Sequence, residues 1–517
     1  MKNNFIFFIL LLSYREEEGE KEKRENITMK SNVTKKENER NLTMLMDFYE
    51  LTMANGYFVK GLKDTKVVFD MFYRTNPDKG GFVVCAGLEQ FIEYVKNMHF
   101  TQADIDYLRD RQLFDEGFLE YLKEFKFKGT IEAVPEGTIV YPNTPLVTVT
   151  APLIDAQLIE TMLLLTINHQ SLIATKANRI CRAAGEAIVM EFGARRAQGA
   201  DAANYGARAC YIGGAHATAT TSADTMFGVK AVGTMAHSWV QFFDSEYEAF
   251  KAYAEVYPDS CTLLIDTYDI LDSGIVNAIR VAKEVLEPMG KRLKGVRIDS
   301  GDLAYFSKKI RKILDDANCK DCQIVVSNSV DEYLIESLKR QGAKIDSYGV
   351  GERMITSKSD PVFGGVYKLC AVQNEHGVFE PRIKISENVE KITNPGKKAL
   401  WRIFDNTTGY GIADLLTLHD EEVSDTEPLP FIDPEKPWKK MKFENVTAKK
   451  LQQLIFDNGE LVYSIPSLEE TRNYVQKQLK EQVWIEEQRF ENPHIHYVDL
   501  SLKLYELKEK MLSDYMK

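Results

Sequence analysis

Cysteine and tryptophan are scarce in this chain, at 7 and 4 of 517 residues. The cysteines, at 85, 181, 210, 261, 319, 322 and 370, are odd in number and scattered. Such a set fits a reducing compartment. Cys319 and Cys322 form one CxxC, and with no second pair nearby to complete a zinc site they read as ordinary loop cysteines. Positive charge is also short: 65 Lys and Arg against 77 Asp and Glu give a net charge of -12. No basic face of the kind that nucleic acid requires is visible, whereas an anionic small molecule needs only a few local arginines. Long apolar runs are missing too. Phe5 to Leu12 is eight residues, against the roughly 20 that span a bilayer. No small-x-small cleavage site follows it, as a secretory signal would require. A cytoplasmic protein without a membrane or nucleic-acid partner is expected.

Arg15 to Arg40 carries eight basic and eight acidic residues and almost no apolar ones, which predicts disorder. Residues 1–41 read as a dispensable extension, or as an over-long start with the true one at Met29. The sequons at Asn26, Asn32 and Asn41 carry little weight in a cytoplasmic chain. The rest, with 44% hydrophobic residues, can bury a large core and form two or more lobes. A helix is expected from Asp47, whose carboxylate can cap the first exposed N–H groups. Between Phe127 and Thr150, apolar and β-branched residues broken by Pro135-Glu136-Gly137 and Pro142-Asn143-Thr144-Pro145 predict short antiparallel strands. One long helix is expected from about Ile154 to Ala184.

Strand and helix patterns then alternate. Strands are predicted at Ala187–Glu191, Val229–Gly233, Cys261–Ile265, Gly295–Ile298, Gln323–Val326 and Ile345–Ser347. Helices are predicted at Ser245–Val256, Ser273–Leu286, Leu303–Asn318 and Asp331–Arg340. This rhythm argues for parallel βαβ units, most economically closed into a barrel, with the chemistry at the carboxyl ends of the strands. Those ends are polar in series: Phe192-Gly193-Ala194-Arg195-Arg196, Thr234 and His237, Asp266-Thr267, Asp299-Ser300-Gly301-Asp302, Ser327-Asn328-Ser329 and Gly349-Val350-Gly351. An imidazole, cations and carboxylates gathered there point to a site for a phosphorylated, anionic small molecule.

Glu191-Phe192-Gly193-Ala194-Arg195-Arg196, Gly233-Thr234-Met235-Ala236-His237-Ser238, Val296 to Leu303 and Phe363 to Leu369 together resemble the nicotinate phosphoribosyltransferases. So do Tyr49-Glu50-Leu51-Thr52-Met53, Asn492-Pro493-His494 and Val498-Asp499-Leu500-Ser501. The resemblance covers about residues 42–510. It implies an α/β fold: an irregular, TIM-like α/β barrel over 161–375, with an α+β domain (42–160) on which the C-terminal segment (376–517) packs. It also implies a homodimer with shared active sites. The implied reaction joins nicotinate to C1 of phosphoribosyl pyrophosphate, coupled to ATP hydrolysis, for NAD salvage.

Residue by residue, the resemblance gives His237 as the histidine that ATP phosphorylates, and a neutral imidazole is a competent nucleophile near pH 7. Arg297 goes to the pyridine and its carboxylate; the spacing also allows an ion pair with Asp299, two residues on along the same strand face. Phe192 and, from the other subunit, Tyr49 sandwich the ring, with Thr234 beside it. Arg195, Arg196, Asp299, Gly301, Asp302 and Ser327 fall to phosphoribosyl pyrophosphate, together with Gly349, Gly351, Gly364 and Gly365, whose backbones allow close approach. Asp299 and Asp302 are the candidates for Mg²⁺, although Asp302 is equally placed to cap the helix from Leu303. Two positions depart from the family pattern. Glu352 stands where a threonine is usual, which sets a carboxylate beside a phosphate unless Arg353 or Mg²⁺ offsets it. Ala223 stands where an asparagine is usual. A nicotinamide phosphoribosyltransferase, a metal-dependent barrel aldolase and a non-catalytic binding relative are the alternatives. The aldolase lacks a Schiff-base lysine or histidine cluster at these positions, and the intact His237 and Arg297 motifs weigh against an inert relative.

Overall fold

The computed structural model describes residues 40–515 except 389–390, 425–428, 435 and 437, so all but Arg40 of the stretch expected to be disordered, Arg15 to Arg40, lies outside the described residues. Three large sheets organise the chain. The first is antiparallel and seven-stranded, in the order Phe379–Pro381, Gly365–Gln373, Lys66–Tyr73, Val147–Pro152, Thr130–Ala133, Gln453–Asp457, Glu460–Leu461. It therefore draws strands from both early and late sequence. A six-stranded mixed sheet from Lys398 to Leu500 lies in the C-terminal segment. The third sheet is parallel and carries the candidate site.

The predicted helix Ile154–Ala184 is two helices, Leu153–Gln157 and Glu160–Ala184. The break falls at Leu158 and Ile159, whose ψ values of -3° and -2° sit at the edge of the right-handed region, far from the roughly -42° of a continuing helix. Its cause is positional: the short piece follows directly on strand Val147–Pro152, and the apolar periodicity running through the break hides it. The long helix is buried through most of its length because it joins two cores. Leu163, Ile167 and Leu172 pack in the N-terminal one, and Ile173, Ala174, Ala177 and Ile180 pack under the parallel sheet. Its buried Lys176 is held by Asp78 at 2.9 Å and Glu332 at 2.8 Å. Asp47 is the N-cap residue of helix Phe48–Val59, but its side chain makes no capping hydrogen bond. Its backbone N–H is tied to the Thr161 hydroxyl instead.

The parallel sheet runs in the order Ala217–Thr218, Ile188–Glu191, Ser347–Val350, Gln323–Ser327, Gly295–Ile298, Thr262–Leu264. The predicted strand Val229–Gly233 is reduced to a single parallel bridge between Thr218 and Ala231. The Asp224 carboxylate takes the Ala231 N–H at 2.8 Å, in place of a ladder bond. The predicted strand Ile345–Ser347 is displaced to Ser347–Val350, because Gly349 and Gly351 read as loop. In the fold Gly349 is a strand residue paired with Met190 and Ser327. Pairing runs from Thr262–Leu264 through to Ala231, and among the described residues no strand pairing joins these two ends. Helices missed in the sequence, Ala200–Gly213, Thr221–Phe227 and His237–Phe242, lie between these strands. The helix predicted at Ser273–Leu286 begins earlier, at Ile270, with wider π turns at both ends.

Candidate active site

Arg297 stands in strand Gly295–Ile298, one residue before its end, and its guanidinium gathers three neighbouring elements. Nε donates to Ser327 Oγ at 3.0 Å, and Nη1 donates to Thr234 Oγ1 at 3.3 Å. Nη2 lies 3.5 Å from Asp299 Oδ1. The ion pair with Asp299 is thus present, but it is the longest of the three contacts. Ser327 in turn donates to Asp299 Oδ1 at 2.5 Å, so the carboxylate and the guanidinium are fixed through one hydroxyl. The Phe192 ring centroid lies 5.8 Å from the guanidinium carbon. The ring rests on the strand that carries Gly349: a Cβ built there would lie 2.5 Å from two of the ring carbons. Phe192, Thr234, Arg297, Asp299, Ser327 and Gly349 therefore form one contiguous group at the carboxyl ends of the parallel strands.

The next strand end adds the imidazole. His237 opens helix His237–Phe242 and has a side chain 41% exposed. Its Nδ1 is 3.1 Å from Thr267 Oγ1, and its Nε2 is 4.0 Å from Asp266 Oδ1. The Asp266 side chain is 1% exposed. Its Oδ2 accepts from the Asp299 N–H at 2.7 Å and from Ser300 Oγ at 2.8 Å, while Oδ1 has no hydrogen-bond partner among the described residues. Asp266 therefore holds the Asp299-Ser300 backbone with one oxygen and faces His237 with the other. Neither Asp266 nor Thr267 was assigned a role from the sequence. The signal was present, since both follow the strand Thr262–Leu264 as Asp299 follows its own.

Asp302 caps the helix Leu303–Asp316, its Oδ1 accepting from the Tyr305 N–H at 2.9 Å. Gly301, at φ +80°, makes the turn between the two aspartates. Among the described residues, no three His, Cys, Asp or Glu side chains gather as a metal cluster. Arg195 and Arg196 lie exposed on the 3-10 turn Ala194–Arg196. Arg196 approaches Glu352 at 3.8 Å, and Lys358 pairs with Glu352 more closely. These two cations offset the Glu352 carboxylate, whose pKa the Lys358 hydrogen bond and charge hold below the ordinary range. Arg353, the cation expected to do so, reaches Asp331 at 3.7 Å. Gly351 leads into the one-turn helix Glu352–Ile355. Ala223 is fully buried in helix Thr221–Phe227. Gly365 opens the strand Gly365–Gln373, pairs with Tyr73 in the antiparallel sheet and packs against Asn168, and Gly364 directly precedes it. Tyr49 is likewise on another element, 44% exposed on helix Phe48–Val59.

Comparison with known proteins gives this arrangement a family. Residues 44–168 match the nicotinate phosphoribosyltransferase N-terminal domain, 188–408 the nicotinate phosphoribosyltransferase family and 397–508 the nicotinate phosphoribosyltransferase C-terminal domain. The nicotinate phosphoribosyltransferase of Bacillus subtilis (strain 168) is 44% identical, over 89% of this chain and 93% of the relative. That of Caenorhabditis elegans is 36% identical, over 90% and 92%. The crystal structure of human nicotinic acid phosphoribosyltransferase superposes with a TM-score of 0.80 at 29% identity, covering 91% of this chain and 100% of that one. The nicotinate-nucleotide pyrophosphorylase of Pyrococcus furiosus shares the fold, with a TM-score of 0.65 at 24% identity over 85% and 96%. On this identity and coverage, spanning the strand ends that hold Phe192, His237 and Arg297, the chain belongs to the nicotinate phosphoribosyltransferase family.

Proposed function

We propose that this protein joins nicotinate to C1 of phosphoribosyl pyrophosphate, releasing nicotinate mononucleotide and pyrophosphate, and that ATP hydrolysis drives the transfer through a phosphohistidine at His237. The reaction is the entry of nicotinic acid into NAD salvage in the cytoplasm. The observation that carries this reading is the meeting of Arg297, Phe192 and Thr234 one strand away from His237. A guanidinium over an aromatic face suits a flat anionic ring, offering charge-assisted hydrogen bonds to the carboxylate and stacking to the pyridine.

The C1–O bond of the donor breaks with oxocarbenium character, and the pyridine nitrogen supplies its own lone pair. No general base is needed, so positioning and electrostatics are the main contributions. Arg195 and Arg196, exposed at the neighbouring strand end, are suited to the donor's phosphates. Gly301, Gly349, Gly351, Gly364 and Gly365 are retained as backbone contacts for the same substrate. A Mg²⁺ ion fits Asp299 and Asp302, because Oδ2 of each makes no hydrogen bond among the described residues while Oδ1 is engaged. Mg²⁺ takes few protein carboxylates and keeps waters and substrate phosphates, so two suffice. When bound it would neutralise the departing pyrophosphate. Asp266 and Thr267, facing the two nitrogens of His237, fix its ring and tautomer for attack on the γ-phosphorus of ATP, with ADP as leaving group. The exposure of Tyr49 supports a homodimer in which it covers the partner's pyridine site.

The test is product formation from nicotinate and phosphoribosyl pyrophosphate with Mg²⁺, with and without ATP, for wild type and His237→Ala. Nicotinate mononucleotide stimulated by ATP, with stimulation and ATPase activity lost in the variant, is expected. A wild type indifferent to ATP would overturn the phosphohistidine, and no product under any condition would overturn the transferase.

A further inference from the structure

Glu191 ends the strand Ile188–Glu191 and is 1% exposed. Among the described residues no cation pairs with it. Its carboxylate is satisfied by neutral donors instead: Oε1 accepts from the Gly193 N–H, and Oε2 accepts from Thr218 Oγ1 at 2.6 Å and more weakly from Thr220 Oγ1 at 3.5 Å. Burial pushes its carboxyl pKa up, against those hydrogen bonds. A buried carboxylate without a counter-ion is costly and persists only where several donors are arranged for it. The residue clasped by this arrangement is Phe192. Its own N–H donates to Val350 O at 2.8 Å, and the next residue, Gly193, is held by Glu191 on one side. On the other side Gly193 packs so closely on Ile355 that an added Cβ would lie 2.6 Å away. With its backbone held on both sides, the Phe192 ring lies against Gly349 with the Arg297 guanidinium over it.

We propose that Glu191 is a positioning residue for the pyridine-binding ring: its carboxylate locks the Phe192–Gly193 turn to the neighbouring strand and so sets the height and tilt of Phe192. This rests on the reading that Phe192 flanks nicotinate. The role is one of hydrogen-bond geometry, not of charge, and that distinction can be measured. In Glu191→Gln the amide oxygen still accepts from Gly193, while its NH₂ donates to Thr218, whose hydroxyl accepts as readily as it donates. The clasp therefore survives in neutral form. In Glu191→Ala it is lost, and in Glu191→Gln/Thr218→Val the amide NH₂ has no acceptor at Thr218.

Steady-state constants for both substrates and a crystal structure of each variant test this. Glu191→Ala is expected to raise KM for nicotinate about tenfold or more, with a smaller rise in KM for phosphoribosyl pyrophosphate, since Gly193 also leads into the Ala194–Arg196 turn. Glu191→Gln should stay close to wild type, and Glu191→Gln/Thr218→Val should lose that rescue. If Glu191→Ala fails to fold, the last two variants still decide the matter. A nicotinate KM indifferent to all three changes would overturn the proposal. So would a Glu191→Gln as impaired as Glu191→Ala, which would mean that the charge itself is required. The crystal structures read the Phe192 ring directly, and a ring unmoved from Gly349 in the disrupted variants would also overturn it. A wild type that does not turn over nicotinate would instead remove the functional reading, leaving the ring position to decide the role of Glu191.

Discussion

His496 offers a sharp test of the physical reasoning. Its side chain is 1% exposed, with Nδ1 3.0 Å from Glu487 Oε1 and Nε2 3.3 Å from Asp414 Oδ1. The ring stacks on Tyr141 at 3.6 Å and 3°. Tyr141 donates to Glu487 Oε2 at 2.6 Å, and Arg402 makes a two-pronged pair with Asp414 at 2.8 and 2.9 Å. Both ring nitrogens face acceptors, so only the imidazolium satisfies both, and only then do two buried cations balance two buried carboxylates. Burial alone would lower the pKa of His496, but the hydrogen bonds to Asp414 and Glu487 carry it above the ordinary histidine value. The sign follows. A group whose pKa is higher folded than unfolded stabilises fully below its unfolded value, near 6.5, and that stability is lost as pH rises through the folded value. His496→Gln leaves one carboxylate without a cation at every pH. Removing one partner of a buried ion pair costs about 3–5 kcal/mol. Wild type should therefore exceed the variant by about that amount at pH 6, and the gap should narrow as pH rises through the folded pKa of His496. Denaturant midpoints at matched pH, followed by tryptophan fluorescence, read the gap. The difference also cancels Glu50, which burial pushes up to about 7 and whose protonated form gives a pH trend of the same sign. A gap that stays flat through alkaline pH would refute a charged His496.

Three further outcomes are expected. Arg297→Lys keeps the charge but loses the planar fork that spans Ser327, Thr234 and Asp299. One charge-assisted hydrogen bond, about 1.5–3 kcal/mol, should disappear from kcat/KM for nicotinate, a loss of roughly 10- to 150-fold. Gly349→Ala puts a methyl 2.5 Å from the Phe192 ring. The overpacking should cost about 1–3 kcal/mol of stability and raise nicotinate KM, as unfolding and initial-rate measurements would show. Asp266→Asn leaves His237 beside a neutral amide, so ATP-dependent stimulation should fall far more than the rate without ATP.

The parts of this molecule that were readable in the sequence are those where a run of residues repeats one physical demand. Gly295–Ile298 and Gln323–Ser327 are apolar strands closed by polar residues, and the rule that chemistry collects at such ends singled out Arg297, Asp299 and Ser327. The parts that were hidden depend on contacts from outside the run. Ala217–Thr218 is too short to show alternation and exists because Met190 and Glu191 pair with it. Gly349 looked like loop because the reason for its missing side chain, the Phe192 ring, stands more than 150 residues earlier. The cap expected of Asp47 was lost to a backbone bond with Thr161, a partner no local window contains. The resemblance groups Gly364 and Gly365 with the parallel-strand ends, and no local window shows that Gly365 opens a strand of the antiparallel sheet.

The antiparallel sheet has a consequence in time. Its three early strands, Lys66–Tyr73, Thr130–Ala133 and Val147–Pro152, pair among themselves, but both flanks of that trio belong to Gly365–Gln373 and Gln453–Asp457. A ribosome adding roughly 5–20 residues per second needs on the order of 15–60 s to travel from Pro152 to Gln453. Until Gly365–Gln373 emerges both edges of the trio are open, and the Thr130–Ala133 edge stays open to the end of the interval, the geometry that recruits strands from other chains. Slowed elongation between the two segments should therefore lower the yield of soluble protein without any change in the stability of the finished fold.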